Sequence, residues 1–515
     1  MKPSQTPISR QLNFSVIRKP GLCVVALLAL CSLASSQTWT TMAAGKAPTF
    51  PLGIALQLTD GRILIQENHT SNWHTLTPSK FGEYHEGFFT KVASFPKSMN
   101  YAPIYFASAV LPDGRVIVEG GEYNSGVEDW TNKGAIYDPV KNIWTPVEAP
   151  SGWNNVGDAQ SAVLSNGTYM LANYNNGESA LLDAKTLTWT IVPGVGKADA
   201  NDEEGWTLLP NGDVLTVDTY LGVPYDATGR NSELYDPSTK TWSSAGDTGV
   251  QLWDSRAGCP KQSGGPSHEI GPAVLTPNDQ VIAFGANTCT GKAGHVSMYA
   301  IPFGVWVPGP DIPGGNDMAD APAALLPSGN ILVETNKGYG NTPATFYEFN
   351  GGFDIVPSPP GYAGNSEGGR MLVTPNASIL LTHVGSTDMW FYDGIEGDDY
   401  QDSWRPTICF QCYPTTVTVG DTYKISGTQF NGLSQGAAFG DDAQSATNYP
   451  LVRITNDASG EVFYARTHNF STGVATGTKI VSTEFDVLPG TQTGASKLVV
   501  VANGIPSLTV AITVK

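Results

Sequence analysis

The chain of 515 residues has few charges, and those it has are mostly of one sign. Charged residues are 15% of the total, and 28 Lys and Arg stand against 47 Asp and Glu, which gives a formal net charge of −19. Because an acidic surface repels phosphate backbones and anionic lipids, nucleic acid is not expected as a partner. After residue 36 no apolar run reaches the roughly 20 residues of a membrane helix, so no membrane span is expected in the mature chain.

Common catalytic signatures are also missing. The sequence contains no phosphate-binding loop, no dinucleotide fingerprint and no HExxH zinc motif. Turn formers and aromatic residues are abundant, with 57 Gly, 36 Pro, 12 Trp and 20 Tyr. This composition is typical of a turn-rich folded protein, and the length predicts two or more structural units.

The N-terminus has the organisation of a signal peptide. Four basic residues precede an apolar run at 22–33, and the small residues 34–36 follow it. We predict cleavage after Ser36 and export to the extracellular space or the periplasm. An uncleaved anchor is the alternative, although an apolar run of about a dozen residues is short for a membrane helix. The mature chain is expected to be a monomer.

Cysteine usage agrees with export. Two of the six cysteines fall inside the predicted signal peptide, and the other four are expected to pair in an oxidising compartment. We predict the disulfides Cys259–Cys289 and Cys409–Cys412. The second pair is a CxxC motif, which can also indicate redox chemistry or half of a zinc site. Since there is no second CxxC and no neighbouring histidine, a structural disulfide at a domain junction is favoured.

A short turn motif recurs along the chain at a period of about 50 residues. Most copies follow a stretch of small apolar residues, contain Asn, Asp or Gly, and precede a run rich in β-branched residues. This pattern predicts a β-hairpin. The seven copies occupy residues 58–61, 111–114, 164–167, 209–212, 275–279, 326–329 and 373–377.

A second landmark accompanies four of these hairpins, because a Tyr or Leu stands seven positions before a Trp. In two of these pairs an Asp-Pro turn lies between the two members, so each repeat is expected to hold about four short strands. Small four-stranded units in tandem are typical of a β-propeller, and seven copies predict seven blades. A sandwich of unrelated hairpins would not explain the common offset. The pairs are Tyr137 with Trp144, Leu182 with Trp189, Tyr235 with Trp242, and Tyr299 with Trp306.

The double glycine Gly120-Gly121, followed by Tyr137 and Trp144, resembles a kelch repeat. The mature chain as a whole resembles the kelch-propeller proteins of the galactose oxidase and glyoxal oxidase-like superfamily. The segment at Trp39 is similar to the outermost strands of the other repeats and could complete the last blade, a role for which Trp404 competes.

The repeat stops after residue 408. Residues 413–515 contain short alternating strands with Gly and Asn turns, which fits an immunoglobulin-like β-sandwich. The superfamily carries such a C-terminal domain, and residues 426–430 resemble its second strand. The sequence thus predicts an all-β protein with a signal peptide at 1–36, a seven-bladed kelch-like β-propeller at 37–408 and an immunoglobulin-like domain at 409–515.

Polar and mostly acidic side chains precede the predicted innermost strand of five repeats. Since propellers place ligand sites at the mouth of the central channel, on these loops, we expect the side chains to gather around one axis. The superfamily resemblance adds a C-terminal loop that projects into the channel and carries Asp441, Asp442 and Gln444. The propeller residues are Asp158, Asp202, Glu203, Glu204, His268, Glu269, Asp320, Glu367 and Arg370.

A buried acidic cluster needs a cation, a proton or a partner. A divalent cation such as Ca²⁺ or Mg²⁺ suits carboxylate oxygens, and His268 would extend the choice to Mn²⁺ or Zn²⁺. Alternatively, closely spaced carboxylates hold a proton near neutral pH and act as general acid and base. A third interpretation is structural, with the side chains capping strand ends. The residue types by themselves do not identify a cofactor.

The superfamily resemblance also implies copper-radical oxidases, whose metal is held by two Tyr and two His, with one Tyr cross-linked to a Cys. The segment where that Cys is expected, residues 103–109, contains none. His383 follows Thr382 rather than a Tyr, and the only Tyr-His pair, at Tyr84, lies in the outer half of the first repeat. The C-terminal loop 440–445 has no His. Copper is therefore not expected.

These observations favour an exported propeller protein that binds an extracellular glycan or another small polar ligand at an acidic channel mouth. One alternative is a carbohydrate-active enzyme on the same scaffold, either metal-assisted or driven by carboxylates. Another is a surface adhesion or scaffold protein that uses the propeller rim. Under the enzyme alternative, the catalytic candidates are Glu203, Glu204, His268, Asp441 and Asp442.

Overall fold

The computed structural model describes residues 39–219, 229–255, 267–289, 291–338, 340–394 and 400–515. The predicted signal peptide lies outside these residues. Within them the chain is all-β, and its helical segments are three short 3₁₀ turns, at Lys97–Met99, Pro313–Gly315 and Asp402–Trp404. No helix in the described ranges is both long and apolar enough to cross a membrane. The described residues belong to one compact unit.

Seven antiparallel sheets, each with four strands from the repeats, follow one another along the chain. Strand β1 (Trp39–Thr41) precedes them. Sheet 1 consists of β2 (Leu52–Gln57), β3 (Ile63–Glu67), β4 (Trp73–Thr77) and β5 (Phe88–Lys91). Sheet 2 consists of β7 (Ala107–Val110), β8 (Val116–Glu119), β11 (Gly134–Asp138) and β12 (Ile143–Val147). A separate three-stranded ribbon alternates with these strands along the chain and consists of β6 (Pro103–Ile104), β9 (Tyr123–Asn124) and β10 (Val127–Glu128).

The next sheets repeat the same order. Sheet 3 consists of β13 (Ser161–Val163), β14 (Tyr169–Ala172), β15 (Ser179–Asp183) and β16 (Thr188–Val192), and sheet 4 of β17 (Thr207–Leu208), β18 (Val214–Val217), β19 (Asn231–Asp236) and β20 (Thr241–Asp247). Sheet 5 consists of β21 (Ala273–Thr276), β22 (Gln280–Phe284), β23 (Val296–Ala300) and β24 (Val305–Pro308). Sheet 6 consists of β25 (Ala323–Leu325), β26 (Ile331–Thr335), β27 (Thr345–Phe349) and β28 (Phe353–Val356), and sheet 7 of β29 (Gly369–Val373), β30 (Ile379–His383), β31 (Met389–Tyr392) and β1.

The hairpins expected from the turn motif are present. All seven turn segments join the first and second strands of a sheet. The seven-residue pairs are cross-strand partners in the third and fourth strands, as in Tyr137 opposite Trp144 and Tyr235 opposite Trp242. Their ring centroids lie 5.0 and 5.2 Å apart. Each repeat of the sequence therefore corresponds to one antiparallel sheet, and these Tyr-Trp pairs occupy the same register in its third and fourth strands.

The first strands of the sheets lie around a common centre. Contacts run from β2 to β7 and on to β13, from β17 through β21 and β25 to β29, and from β29 back to β2. At the other edge of sheet 7, β1 pairs with β31 and places Trp39 opposite Tyr392. The N-terminal strand therefore completes the last sheet, whereas Trp404 lies in a 3₁₀ turn.

The C-terminal residues form a further sheet with its own core. The core includes Ile425, Val452, Phe485 and Val500. The predicted disulfide Cys409–Cys412 is present. Cys289 is disulfide-bonded too, but its predicted partner, Cys259, lies outside the described residues. The strands are β32 (Thr407–Ile408), β33 (Thr416–Val417), β34 (Thr422–Thr428), β36 (Leu451–Asn456), β37 (Val462–His468), β38 (Val481–Asp486), β39 (Gly494–Ala502), β40 (Ile505–Pro506) and β41 (Val510–Val514). The remaining strand, β35 (Ala437–Ala438), pairs with β25 of sheet 6.

Candidate functional site

Residues 435–449, the central segment, run from the C-terminal region into the space between the first strands. At one end, β35 pairs with β25. The hydroxyl of Tyr449 donates to the carbonyl of Gln57 over 2.5 Å, and Ser108 Oγ donates to the carbonyl of Gln444 over 3.0 Å. The segment thus touches sheets 1, 2 and 6, so its tip at 439–442 is held near the centre of the sheets.

An acidic cavity of about 390 Å³ surrounds that tip. It is lined by eight carboxylates, which come from the central segment and from loops that lead into sheets 3 to 7 or lie within sheet 2. The aromatic side chains of Tyr105, Tyr123 and Phe439 complete the wall. The carboxylates are Glu122, Asp158, Glu203, Glu269, Asp320, Glu367, Asp441 and Asp442.

The carboxylates of the cavity lie close together in two overlapping groups. One oxygen each from Asp158, Glu203 and Asp441 lie within 4.8 Å of one another. The same holds for Glu203, Glu269 and Asp320. Glu203 therefore belongs to both groups and stands at the middle of the cluster.

Burial controls the protonation of this cluster. It raises the pKa well above the ordinary value for all five members, and repulsion from neighbouring carboxylates adds to the effect. The carboxyl of Glu269 lies beside those of Glu203 and Asp320, with one oxygen of each within 4.8 Å of the others. Burial and this mutual repulsion both favour the protonated form of these groups.

Two carboxylates at the edge of the cluster differ from the rest. Burial, followed by the charge of Asp442, raises the pKa of Glu122 to about 7. For Asp442 itself, burial raises the pKa while the guanidinium of Arg370 opposes the change. Asp442 is 2% exposed, and its Oδ2 atom has no hydrogen-bond partner among the described residues.

Arg370 borders the cavity but is committed to other contacts. Its Nη1 atom donates to the carbonyls of Glu367 and Gly369, both over 2.7 Å. Its guanidinium lies 4.0 Å from the ring centroid of Phe439 and 5.6 Å from that of Tyr105. Arg370 thus holds an aromatic wall of the cavity in place.

Three of the cavity residues that precede the first strand of a sheet have left-handed backbone conformations. The φ angles are 53° at Tyr105, 58° at Glu203 and 45° at Asp320. For residues with a Cβ atom this region costs about 1 to 3 kcal/mol, and such strain clusters at functional sites. Each of the three stands in the loop before the first strand of its sheet, where the distortion turns the side chain toward the centre.

Four residues that the sequence analysis placed at the channel mouth lie elsewhere. Glu204 is fully buried away from the cavity, where Lys197 Nζ lies 2.7 Å from its Oε1 and Thr216 Oγ1 donates to its Oε2. His268 is also buried, with its ring stacked 5.1 Å from that of Trp253. Its Nδ1 lies 2.7 Å from the carbonyl oxygen of Thr219. The expectation that Glu204 and His268 line the cavity is therefore wrong.

The other two residues support the cavity from outside. Gln444 accepts a hydrogen bond of 2.9 Å from Ser161 Oγ and donates to the carbonyl of Asp441, so it anchors the central segment. Asp202 does not line the cavity, although its charge raises the pKa of Asp158 and Glu203.

The sequence analysis missed several residues of the wall. Glu122 lies between β8 and β9, Tyr123 begins β9 of the interleaved ribbon, and His69 lies between β3 and β4, so none of the three precedes the first strand of a sheet. One signal was present, because Glu122 directly follows the double glycine of the second repeat. The segment around Tyr105 gave no signal other than its lack of a cysteine. Phe439 stands two positions before the acidic pair Asp441 and Asp442.

Copper fits this set of donors poorly. The cavity offers eight carboxylates, two phenols and one imidazole, that of His69. Oxygen donors of this kind suit Ca²⁺ or Mg²⁺, whereas copper favours imidazole and sulfur ligands. The Tyr-His pair at Tyr84 is not available either, because the buried Tyr84 hydroxyl donates to the carbonyl of Gly61. No step through copper follows from these residues.

No family model matches this chain, and no curated protein does. Among solved structures, a fungal alcohol oxidase of the AA5 family, in complex with copper, is 16% identical over 93% of this chain and 99% of its own, with a TM-score of 0.52. A streptogramin B lyase is 10% identical over 70% and 98% of the two chains, with a TM-score of 0.46. A virginiamycin B lyase from Staphylococcus aureus is 9% identical over 69% and 98%, with a TM-score of 0.44.

The two lyases are too distant in structure to support an argument. The likeness to the AA5 oxidase covers nearly the whole of both chains and concerns the fold alone. Together with the seven sheets and their shared centre, it shows that this chain has a galactose oxidase-like β-propeller fold.

Proposed function

We propose that this protein is exported and that its acidic cavity binds an extracellular glycan. The seven sheets are interpreted as seven kelch-like blades, and residues 409–515 as an immunoglobulin-like domain whose central segment forms the floor of the site. The observation that carries the proposal is the cavity itself, in which eight carboxyl groups, several with raised pKa values caused by burial, face one another beside aromatic rings.

The size of the cavity suits one or two sugar rings. A volume of about 390 Å³ is near the lower end of the range for small-ligand pockets, about 300 to 1,000 Å³. The rings of Tyr105, Tyr123 and Phe439 provide flat apolar faces against which the C–H face of a sugar can pack.

The chemistry of the cavity suits hydroxyl groups. A sugar hydroxyl both donates and accepts hydrogen bonds. A protonated carboxyl donates and a carboxylate accepts, so a partly protonated cluster satisfies both needs. The acidic lining of the cavity, whose described residues include no Lys or Arg, opposes uronic acids and sulfated sugars, so the expected ligand is a neutral or amino sugar.

The test is calorimetric titration of the mature chain, residues 37–515, with neutral, amino and uronic oligosaccharides. Neutral or amino sugars are expected to bind, and uronic acids are not. Asp442→Asn should weaken binding about tenfold, the value of one hydrogen bond to a charged group. The matched control is Glu461→Gln on the surface, where Glu461 pairs with the exposed Lys80. Failure of all three ligand classes to bind would overturn the proposal.

A carbohydrate-active enzyme is the second candidate, and the closely spaced carboxyls favour it. One oxygen each of Glu203, Glu269 and Asp320 lie within 4.8 Å of one another, and carboxyl groups this close with raised pKa values are a common source of general acids and bases. The experiment is prolonged incubation of each bound oligosaccharide with the protein, followed by chromatography. New products that disappear with Glu203→Gln would establish turnover, whereas an unchanged oligosaccharide would leave a binding protein.

A further inference from the structure

The fold contains two buried groups of carboxylates, and one of them carries its own cation. In the first group, Lys197 Nζ lies 2.5 Å from Asp199, 2.7 Å from Glu204 and 2.8 Å from Glu233. A fourth carboxylate, that of Asp218, lies 3.6 Å from the same atom. A single buried ammonium therefore sits among four carboxylates and offsets part of their charge.

The cavity group has comparable spacing without such a cation. Within the described parts of the chain, no Lys, Arg or His side chain lies within ion-pair distance of Asp158, Glu203, Glu269, Asp320 or Asp441. In each overlapping set of three, the oxygens lie within 4.8 Å of one another. Arg370, which borders the cavity, donates to the main-chain carbonyls of Glu367 and Gly369.

The spacing of each set, at most 4.8 Å between oxygens, is compatible with the coordination sphere of a calcium ion. Ca²⁺ binds oxygen at about 2.3 to 2.6 Å, so two of its ligands on opposite sides are about 5 Å apart. Mg²⁺ binds oxygen at about 2.0 to 2.1 Å and prefers to keep its waters. Three oxygens within 4.8 Å of one another can therefore all reach one Ca²⁺ ion.

An independent observation points to a ligand at this place. Asp442 lines the same cavity and is 2% exposed, yet its Oδ2 atom has no hydrogen-bond partner among the described residues. A buried carboxylate oxygen without a partner is costly. A cation next to Asp441 would give it one.

We propose that the cavity binds two Ca²⁺ ions that share Glu203 as a bridging ligand. The first ion is held by Asp158, Glu203 and Asp441, and the second by Glu203, Glu269 and Asp320. The two ions bring four positive charges to five carboxylates. Since Ca²⁺ takes six to eight oxygen ligands, positions remain for Asp442, for water and for hydroxyl groups of a bound molecule.

This inference deepens the proposed function and rests on it in one respect, because it places the ions where the glycan would lie. Sugar hydroxyls would complete the coordination, so glycan binding is expected to require Ca²⁺. The two ideas can still fail separately, since metal binding is measured without any sugar present.

The experiment uses the mature chain, stripped with EDTA and dialysed, and then titrated with CaCl₂ by calorimetry. Bound metal is counted by elemental mass spectrometry after gel filtration. Two Ca²⁺ per chain are expected at neutral pH, and MgCl₂ should bind about tenfold or more weakly. Zero or one Ca²⁺ per chain would overturn the proposal, because a cluster satisfied by protons alone would bind none.

Variants locate the ions. Glu203→Gln is expected to remove both, while Asp441→Asn and Asp320→Asn each remove one. Glu461→Gln is the matched control, since Glu461 pairs with Lys80 on the surface and belongs to neither set, and it should retain two. Two ions in Glu203→Gln would contradict the bridge.

Folding is checked by thermal unfolding of each variant in EDTA. Removing one of several like charges is not expected to lower Tm in the metal-free state. If Glu203→Gln fails to fold, the two Asp variants still decide the question, because each must lose one ion. Glycan titrations with and without Ca²⁺ complete the set. Two ions without glycan binding would overturn the glycan proposal alone, whereas glycan binding without ions would overturn only the metal proposal.

Discussion

Lys197 Nζ lies 2.7 Å from Glu204 Oε1, and both side chains are fully buried. Burial lowers the pKa of Lys197, but its four carboxylate neighbours outweigh this and raise the pKa well above the usual value. The lysine thus stays charged within the fold. It supports sheet 4 directly, because Asp218 follows β18 and Glu233 belongs to β19.

Lys197→Met should destabilise the protein by about 3 to 5 kcal/mol, because it leaves buried carboxylates without their cation. The loss is expected to be larger at pH 8 than at pH 5, since the orphaned carboxylates can take up protons in acid. Urea unfolding at both pH values measures it. Lys141→Met is the control, because Lys141 is exposed and pairs only with Asp138, and its effect should stay within about 0.5 kcal/mol.

Glu119 is a fully buried carboxyl group whose two oxygens have no hydrogen-bond partner among the described residues. Burial raises its pKa well above the ordinary value. The native state therefore keeps the proton that the unfolded chain releases above about pH 4.3. The stability contributed by this group is complete below that pH and falls as the pH rises toward the native pKa.

Glu119→Met should accordingly raise Tm at pH 7 and have a smaller effect at pH 4, as measured by thermal unfolding across this range. The matched control is Glu348→Met. Glu348 is equally buried but accepts hydrogen bonds from Tyr392 and Asn330, so its replacement should lower Tm. An unchanged pH profile in Glu119→Met would contradict the assignment.

Trp39 joins the N-terminal strand to the last repeat. Its Nε1 donates to the carbonyl of Pro357 over 2.7 Å, and its ring packs against Phe346 and Tyr392. Trp39→Ala should cost about 2 to 4 kcal/mol in the free energy of unfolding, because it removes a large aromatic contact and one hydrogen bond. Thr41→Ala, on the exposed end of the same strand, should change it by less than about 0.5 kcal/mol. If Trp39→Ala and Thr41→Ala lowered the free energy of unfolding equally, β1 would not complete sheet 7.

Gly205 provides room for the tip of the central segment. A Cβ atom at this position would lie 2.5 Å from the carbonyl oxygen of Gly440, which is too close for any side chain. Gly205→Ala is expected to push the tip away, increase hydrogen exchange of residues 439–446 and weaken ligand binding at the cavity. Gly352→Ala is the control, since nothing lies within 4 Å of its Cβ position. Unchanged exchange in Gly205→Ala would contradict the close approach.

The fold could largely be predicted because its signals are local. A turn motif marks each hairpin, and a Tyr or Leu seven residues before a Trp places two strands in register, as in Tyr299 opposite Trp306. The partner of the N-terminal strand was less certain. Trp39 and Trp404 both resembled an outermost strand, and only the pairing of β1 with β31 distinguished them.

The site could be predicted in part. Loops before the first strands are acidic, so Asp158, Glu269 and Asp320 were expected at the centre and are found there. Glu203 and Glu204 are adjacent in sequence and could not be told apart. In the fold a left-handed backbone directs Glu203 into the cavity, while Lys197 binds Glu204 on the other side.

The sequence by itself determined the repeating hairpins, the Cys409–Cys412 disulfide and the acidic character of the channel, because these depend on neighbours a few residues apart. Only the tertiary structure decided which carboxylates meet. The cavity joins loops from several sheets to a segment near residue 441, and contacts across hundreds of residues leave no local pattern. Burial then sets the charge of that cluster, and burial belongs to the whole fold.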